Sequence, residues 1–226
     1  MNMLSAREII QRYSVCRTCS IVDTDVKRIF VDNKCRICGA ASEGGRMYFD
    51  MPVRIVGSLL DEAYQLLNHD SNDKKTLRLH SVSTVLYFNT LKETMMNRLI
   101  DRAFIANDIP NSFAQKMLAD NKLYSQKQNS LLPAMLDKTW REIIAEVSET
   151  FREDFTKLDD LLKRVAKARN TFLHEGDHFD ISEQLAKESY CGSKILANFY
   201  VSVHNHYIHP AVMKKIGQGK KVESLS

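Results

Sequence analysis

The sequence predicts a mainly α protein, in which a four-helix bundle with additional helices follows a small β module. Glycine and proline together make up about 5% of the 226 residues, whereas average usage is about 12%. Their scarcity favours long helices and argues against disordered, collagen-like and turn-rich all-β classes. Glycine placement divides the chain, because three glycines lie in the first 50 residues and none occurs from Ser58 to Glu175.

The β module is predicted within the first 50 residues. Short runs of β-branched or aromatic residues alternate there with polar turns, a pattern typical of two or three short strands. These runs cover residues 21–22, 29–31 and 47–49. A short helix over residues 6–13 is predicted before them.

The chain beyond residue 51 carries apolar residues at helical spacing. Helices are predicted over 53–68, 81–107, 112–119 and 150–174, and from Asp180 or Ser182 to a point before Pro210. The polar stretch 120–130 is a candidate mobile segment. We therefore predict three parts: an N-terminal helix with the β module (1–50), a helical bundle (51–212) and a basic flexible tail (213–226).

Composition also bears on location and partners. No run of about 18 apolar residues occurs, and the N-terminus lacks the basic-then-apolar pattern of a secretory signal. The odd count of five cysteines argues against a disulfide framework. We expect a soluble, cytoplasmic protein without membrane contact. The net charge of +4 permits nucleic-acid binding without requiring it.

Four cysteines form a C-x2-C-x15-C-x2-C pattern. Each C-x2-C turn can present two thiolates to one ion at about 2.3 Å, and two turns complete a tetrahedron. Four protein ligands leave no open position, which indicates a structural metal. Zinc is the natural ion, one per chain, and an iron–sulfur cluster is the less favoured alternative. The ligands would be Cys16, Cys19, Cys35 and Cys38.

The cysteine pattern resembles a zinc ribbon over about residues 14–50. A segment this short cannot build its own core, so we expect the metal to supply its folding energy. Basic residues in and between the cysteine pairs could contact a phosphate backbone, although three aspartates stand among them. The open alternative is a solvated module that docks onto the bundle or onto a partner. Cys191 is expected to be a small core or helix-surface residue.

A polar group is predicted at the end of the helix over 150–174. Arg169 interrupts the apolar stripe one turn after Val165, so it requires a partner or a cleft. Asn170 and His174 are four residues apart and share a helix face. The set suits metal-independent RNA cleavage, because histidine can take the proton of a ribose 2′-hydroxyl or protonate the leaving oxygen.

The other residues of the group suit the same reaction. The Arg169 guanidinium can meet phosphoryl oxygens with two parallel hydrogen bonds, and Asn170 can orient the imidazole or bind the phosphate. One chain supplies one such histidine. We therefore expect a two-fold dimer to supply both an acid and a base.

The segment Arg169-Asn170-x3-His174 resembles the R-x4-6-H motif of HEPN domains, and the bundle resembles them over about 52–210. HEPN proteins of this type are commonly metal-independent endoribonucleases that dimerise to form one composite site. Many are toxins or effectors of antiviral defence. The resemblance implies an RNA substrate, a homodimer, an antitoxin or defence-system subunit as partner, and catalytic roles for Arg169, Asn170 and His174.

Two other functions stay open. The bundle could bind a nucleotide or nucleic acid without cleaving it, or the chain could serve only in assembly. Glu93 is a further candidate near the site, with a solvent-facing position as the alternative. The triplet 204–206 spells HNH without the fold of that nuclease, and His206 and His209 lack the additional ligands that a metal site requires.

Overall fold

The computed structural model describes Arg7, Ile10 and residues 13–24, 26–41, 47–69, 73–176 and 180–218. Most of these residues are helical, so the predicted mainly α fold with a small β module is confirmed. The predicted helix 6–13 and residues 219–226 of the predicted tail lie largely or wholly outside the described residues. Among the described helices, none has the length and apolar character that crossing a bilayer requires.

The β module consists of short antiparallel strands. Those described are β1 (Ser14–Cys16), β2 (Val22–Asp23), β3 (Phe30–Val31), β4 (Lys34–Cys35) and β5 (Met47–Phe49). β1 lies between β2 and β5 in one sheet, and β3 pairs with β4 in a hairpin. The one-turn helix α1 (Val26–Ile29) connects β2 to β3. The predicted runs match β2, β3 and β5, whereas β1 and β4, which contain cysteines, were not predicted.

The described chain beyond β5 is mainly helical. Its helices are α2 (Met51–His69), α3 (Lys74–Ala106), α4 (Asn111–Asp120), α5 (Tyr124–Gln126), α6 (Leu132–Leu136), α7 (Trp140–Phe151), α8 (Thr156–Glu175), α9 (Glu183–Val203) and α10 (His209–Gly217). One π-helical turn, Lys127–Leu131, joins α5 to α6, and another, His204–Ile208, joins α9 to α10.

The bundle is built around the 33-residue helix α3, which packs against α2, α8 and α9. The apolar residues that recur at helical spacing along the predicted helix 81–107 form one stripe on α3, and this stripe is buried from Val85 to Ala103. Close packing between α8 and α9 depends on a glycine, because a Cβ atom on Gly192 would lie 2.4 Å from Cδ2 of Leu161. These contacts fix the end of α8, which carries the predicted arginine group.

Several predicted helix boundaries were wrong, each for a local reason. Helix α3 begins at Lys74 because the Asp73 carboxylate caps it, accepting from the backbone N–H groups of Lys75 (3.1 Å) and Thr76 (3.3 Å). The predicted helix 150–174 is divided, because Arg152 adopts a left-handed conformation (φ 54°) that ends α7. The polar stretch 120–130, a candidate mobile segment, is helical from Tyr124 onward, and the helical structure continues to Leu136.

The end of the chain also differs from its prediction. Pro210 does not end the last helix, because it occupies the first turn of α10, where a proline needs no hydrogen-bond donor. The predicted flexible tail 213–226 therefore begins inside a helix that continues to Gly217. Helix α8 ends at Gly176, which caps it in the left-handed conformation (φ 69°).

Candidate functional site

The four cysteines of the sequence pattern lie together in the β module. Their sulfur atoms all lie within 4.8 Å of one another, with 3.8 Å between Cys16 and Cys38 and 3.7 Å between Cys19 and Cys35. A tetrahedron with metal–sulfur bonds of about 2.3 Å has sulfur–sulfur edges of about 3.8 Å. The cluster therefore has a geometry that can hold a metal ion.

The two C-x2-C turns have the same backbone hydrogen bonds. In the first, the Ser20 N–H donates to the carbonyl of Cys16 (2.8 Å), and in the second the Gly39 N–H donates to the carbonyl of Cys35 (2.8 Å). Ser20 (φ 63°) and Gly39 (φ 70°) are both left-handed. A serine in this conformation costs about 1 kcal/mol more than a glycine, so the first turn requires support from outside.

The pKa values of the cysteine thiols are shifted in different directions. A hydrogen bond from the Cys19 thiol lowers the pKa of Cys16 to about 5, and the same pairing, together with burial, raises the pKa of Cys19. Burial also raises the pKa of Cys38. A bound cation favours the thiolate form of every ligand, because its positive charge stabilises the anion. The cluster can therefore exchange its remaining protons for a metal ion.

The first cysteine turn docks onto the π-turn that follows α9. The buried His204 ring donates from Nε2 to the Ser20 carbonyl, and His209 donates from Nδ1 to the Cys19 carbonyl (2.8 Å). Asn205 makes two hydrogen bonds to one residue: its amide donates to the Val22 carbonyl (2.6 Å) and its oxygen accepts from the Val22 N–H (3.1 Å). These contacts supply the support that a left-handed Ser20 requires.

Apolar contacts extend the same interface. Met213 and Ile216 of α10 pack against the buried cluster that contains Cys16, Cys19 and Cys35. The predicted β module is therefore in contact with the bundle, and both cysteines of its first turn are buried. Arg17 and Arg36, the arginines inside the two cysteine turns, are both exposed. The signal for this interface was the polar triplet at 204–206, which the sequence analysis discounted.

Arg169 and Asn170 are in contact near the end of α8. Arg169 is half-buried, and its guanidinium donates from Nη1 to Asn170 Oδ1 over 3.0 Å. Both residues line a cleft with a volume of about 1190 Å³ between α3, the segment 122–142 and α8. His174 lies one turn further along α8, is exposed and does not line this cleft. The structure therefore brings together two of the three predicted catalytic residues.

The cleft contains a lysine that the sequence analysis missed. Lys92 is only 2% exposed, and its ammonium group lies 4.0 Å from the centre of the Tyr124 ring. Burial lowers the pKa of Lys92 to about 8, while the Glu93 carboxylate raises it and the Arg169 guanidinium lowers it. Glu93 lines the same cleft and accepts from the Asn89 amide (2.9 Å).

Other candidate ligands do not form a second metal site. Among the described residues, the four cysteines are the one group of three or more metal-binding side chains that lie together. His206 instead lies 3.9 Å from the Glu146 carboxylate, and His209 is bonded to the Cys19 carbonyl. The fifth cysteine, Cys191, is exposed on α9.

Comparisons with known proteins add no assignment to this geometry. No protein-family model matches the chain, and no curated protein and no solved structure is significantly similar to it.

Proposed function

We propose that the chain is a metal-independent endoribonuclease of the HEPN type that acts as a homodimer. The observation that carries the proposal is the half-buried Arg169 at a cationic cleft, with Asn170 bonded to it and His174 one turn further on. Arginine at such a position matches the negative charge that grows on a phosphate during transesterification.

The reaction needs no metal ion or cofactor in this scheme. The ribose 2′-oxygen bonds to the adjacent phosphorus while the bond from phosphorus to the 5′-oxygen breaks. His174 of one copy takes the 2′-hydroxyl proton, and His174 of the second copy protonates the leaving 5′-oxygen. Arg169 stabilises the charge on the phosphate oxygens, and Asn170 fixes the guanidinium. The products are a 2′,3′-cyclic phosphate and a 5′-hydroxyl end.

The surface at the end of α8 supports the dimer. Leu173 is 51% exposed beside His174, although Val165, two turns earlier, is fully buried. Leu173 thus presents an exposed apolar side chain beside the proposed catalytic residues, whereas the preceding Phe172 packs against the core. A second copy that covers Leu173 would bring two histidines together and exclude water from the reacting phosphate.

The test is RNA cleavage in a buffer without Mg²⁺, comparing the wild type with His174→Ala and Arg169→Ala. Loss of an acid–base group is expected to slow cleavage about 100-fold or more, and loss of the guanidinium by a similar factor. His69→Ala is the matched control, because His69 is also exposed at the end of a bundle helix.

Other outcomes would reject parts of the proposal. Unchanged cleavage in both variants would remove the site assignment, and Mg²⁺-dependent cleavage would contradict the mechanism. A monomer that cleaves at full rate would contradict the two-histidine scheme. If cleavage is found, growth arrest on expression that His174→Ala relieves would support a role as a toxin or antiviral effector restrained by an antitoxin or another subunit.

A non-enzymatic RNA- or nucleotide-binding bundle is the second candidate function. The observation that favours it is the position of His174 outside the cleft that Arg169 lines. Binding of RNA without cleavage of any tested sequence, by protein shown to be dimeric, would support this function instead.

We also propose that the cysteine cluster holds one structural zinc ion per chain. The sulfur–sulfur distances and the closed set of four thiolates support zinc, which favours tetrahedral sulfur ligands. Metal analysis of purified protein is expected to give one zinc per chain, lost in Cys35→Ser and retained in the control Cys191→Ser. Visible absorption with bound iron would indicate an iron–sulfur cluster instead. Arg17 and Arg36 of this module are exposed, and we propose that they bind nucleic acid or a partner protein.

A further inference from the structure

The cleft beside Arg169 is larger than a site for one small molecule requires. Its volume of about 1190 Å³ exceeds the range of about 300–1,000 Å³ that is usual for small-molecule sites. One wall is α3 and the opposite wall is α8. The π-turn Lys127–Leu131 and the loop before α7 close the third side. A chain of several nucleotides fits such a space better than one nucleotide.

The charges that line the cleft favour an anion. Seven lysine or arginine side chains and four aspartate or glutamate side chains line its described surface. Two ion pairs reduce this charge: Asp159 pairs with Lys163 (2.6 Å), and Lys138 pairs with Glu146 (2.6 Å), which does not line the cleft. Five cationic and three anionic lining side chains remain outside these pairs. The cleft therefore keeps an excess of positive charge where a ligand would lie.

Lys92 concentrates this charge at the base of the cleft. Its ammonium group faces the Tyr124 ring, and among the described residues no carboxylate lies within salt-bridge distance of it. Arg169 lines the cleft from the opposite helix, and its positive charge lowers the pKa of Lys92, whereas the nearby Glu93 carboxylate raises it. A buried ammonium is costly without a counter-charge, and a phosphate between Lys92 and Arg169 would supply one.

We infer that this cleft binds single-stranded RNA and that Lys92 contacts a phosphate of the bound strand. The inference rests on the proposed function for the choice of RNA as the polyanion. Tyr124 and Trp140 also line the cleft, and aromatic rings are surfaces on which unpaired bases stack. Lys92 is then a substrate-binding residue on the path that leads to Arg169.

The test is equilibrium binding of a short fluorescent RNA whose 2′-oxygens are methylated, so that the proposed 2′-hydroxyl attack cannot occur. Lys92→Met is expected to weaken binding about tenfold or more and to lower the salt slope by about one. Lys92→Arg, which keeps the charge, is expected to bind more tightly than Lys92→Met. Lys167→Met is the matched control, because Lys167 is exposed on α8 but does not line the cleft.

Thermal melting of each variant separates a binding defect from misfolding. If Lys92→Met does not fold, Lys127→Met provides the same test at the rim of the cleft, where Lys127 donates to Asn97 (2.7 Å). Wild-type affinity in folded Lys92→Met, or in Lys127→Met where that variant replaces it, would overturn the inference.

Competition with a mononucleotide tests whether the cleft binds an RNA strand or a single nucleotide. A mononucleotide that binds as tightly as the RNA and competes fully with it would overturn the choice of polymer. If the protein binds RNA in a manner that depends on Lys92 but cleaves no RNA, the result would support RNA binding in the cleft and reject the nuclease mechanism.

Discussion

Replacement of Asn205 by alanine tests how strongly the β module is tied to the bundle. The substitution removes both hydrogen bonds between Asn205 and Val22, and Val22 is only 1% exposed. Each bond contributes about 1 kcal/mol, and each buried backbone group left without a partner costs about 1–3 kcal/mol. Because Asn205 itself is half-buried, water can satisfy part of this demand. We therefore expect a loss of about 2 kcal/mol.

The assay is urea unfolding of metal-loaded protein, followed by circular dichroism for the helices and by metal release for the cysteine module. If the docked module and the bundle unfold together, both signals shift by the same amount in Asn205→Ala. If they unfold separately, metal release alone shifts to lower urea. Asn198→Ala is the matched control, since the Asn198 amide lies 3.4 Å or more from the nearest Glu153 oxygen.

A change below about 0.5 kcal/mol in both signals would refute the argument, because it would mean that the two Val22 bonds contribute nothing to folding. A control variant as destabilised as Asn205→Ala would refute it as well. Asn205→Asp separates the two bonds, because the carboxylate keeps an acceptor for the Val22 N–H and loses the donor to the Val22 carbonyl.

Three further predictions follow from burial, packing and metal binding. Burial lowers the pKa of His204 to about 3, so below pH 6.5 the native state binds fewer protons than the unfolded state and the protein becomes less stable as the pH falls. In urea titrations, the wild type should therefore lose about 2 kcal/mol more stability between pH 7 and 5 than His204→Gln loses. Gly192→Ala should destabilise by about 1 kcal/mol, because crowding of Leu161 outweighs the gain in helix propensity, while Gly217→Ala, which meets no atom within 4 Å, should not destabilise in thermal melts. Metal removal should reduce helical circular dichroism only by the contribution of α10 and the preceding π-turn; loss of most helical signal would contradict this.

The cysteine cluster and the core of α3 could be predicted because their signals are local. Two C-x2-C pairs specify four ligands by spacing alone, and all four sulfurs lie together. The α3 stripe specifies which face is buried. Helix α7 also had a local signal that was missed, namely the Thr139–Glu142 capping box at its start.

Other features depend on contacts between distant residues. Lys92 lies between the buried Leu91 and the half-buried Glu93, and its sequence context gives no sign that Tyr124 will cover it. Proline usually ends a helix, but Pro210 is compatible with α10 because the π-turn before it lets a new helix begin. Whether His174 lies close to a second histidine depends on how two copies associate, and residue spacing within one chain does not specify that association.

The docking of the cysteine module has a consequence for the order of events during synthesis. Asn205 follows Val22 by 183 positions, whereas the four cysteines span residues 16–38. The ligands emerge from the ribosome together and can bind their ion early, while the π-turn and α10 emerge only after the bundle helices. If the cysteine cluster binds an ion at that stage, the nascent chain carries a folded module whose docking face stays open until translation reaches the last helix.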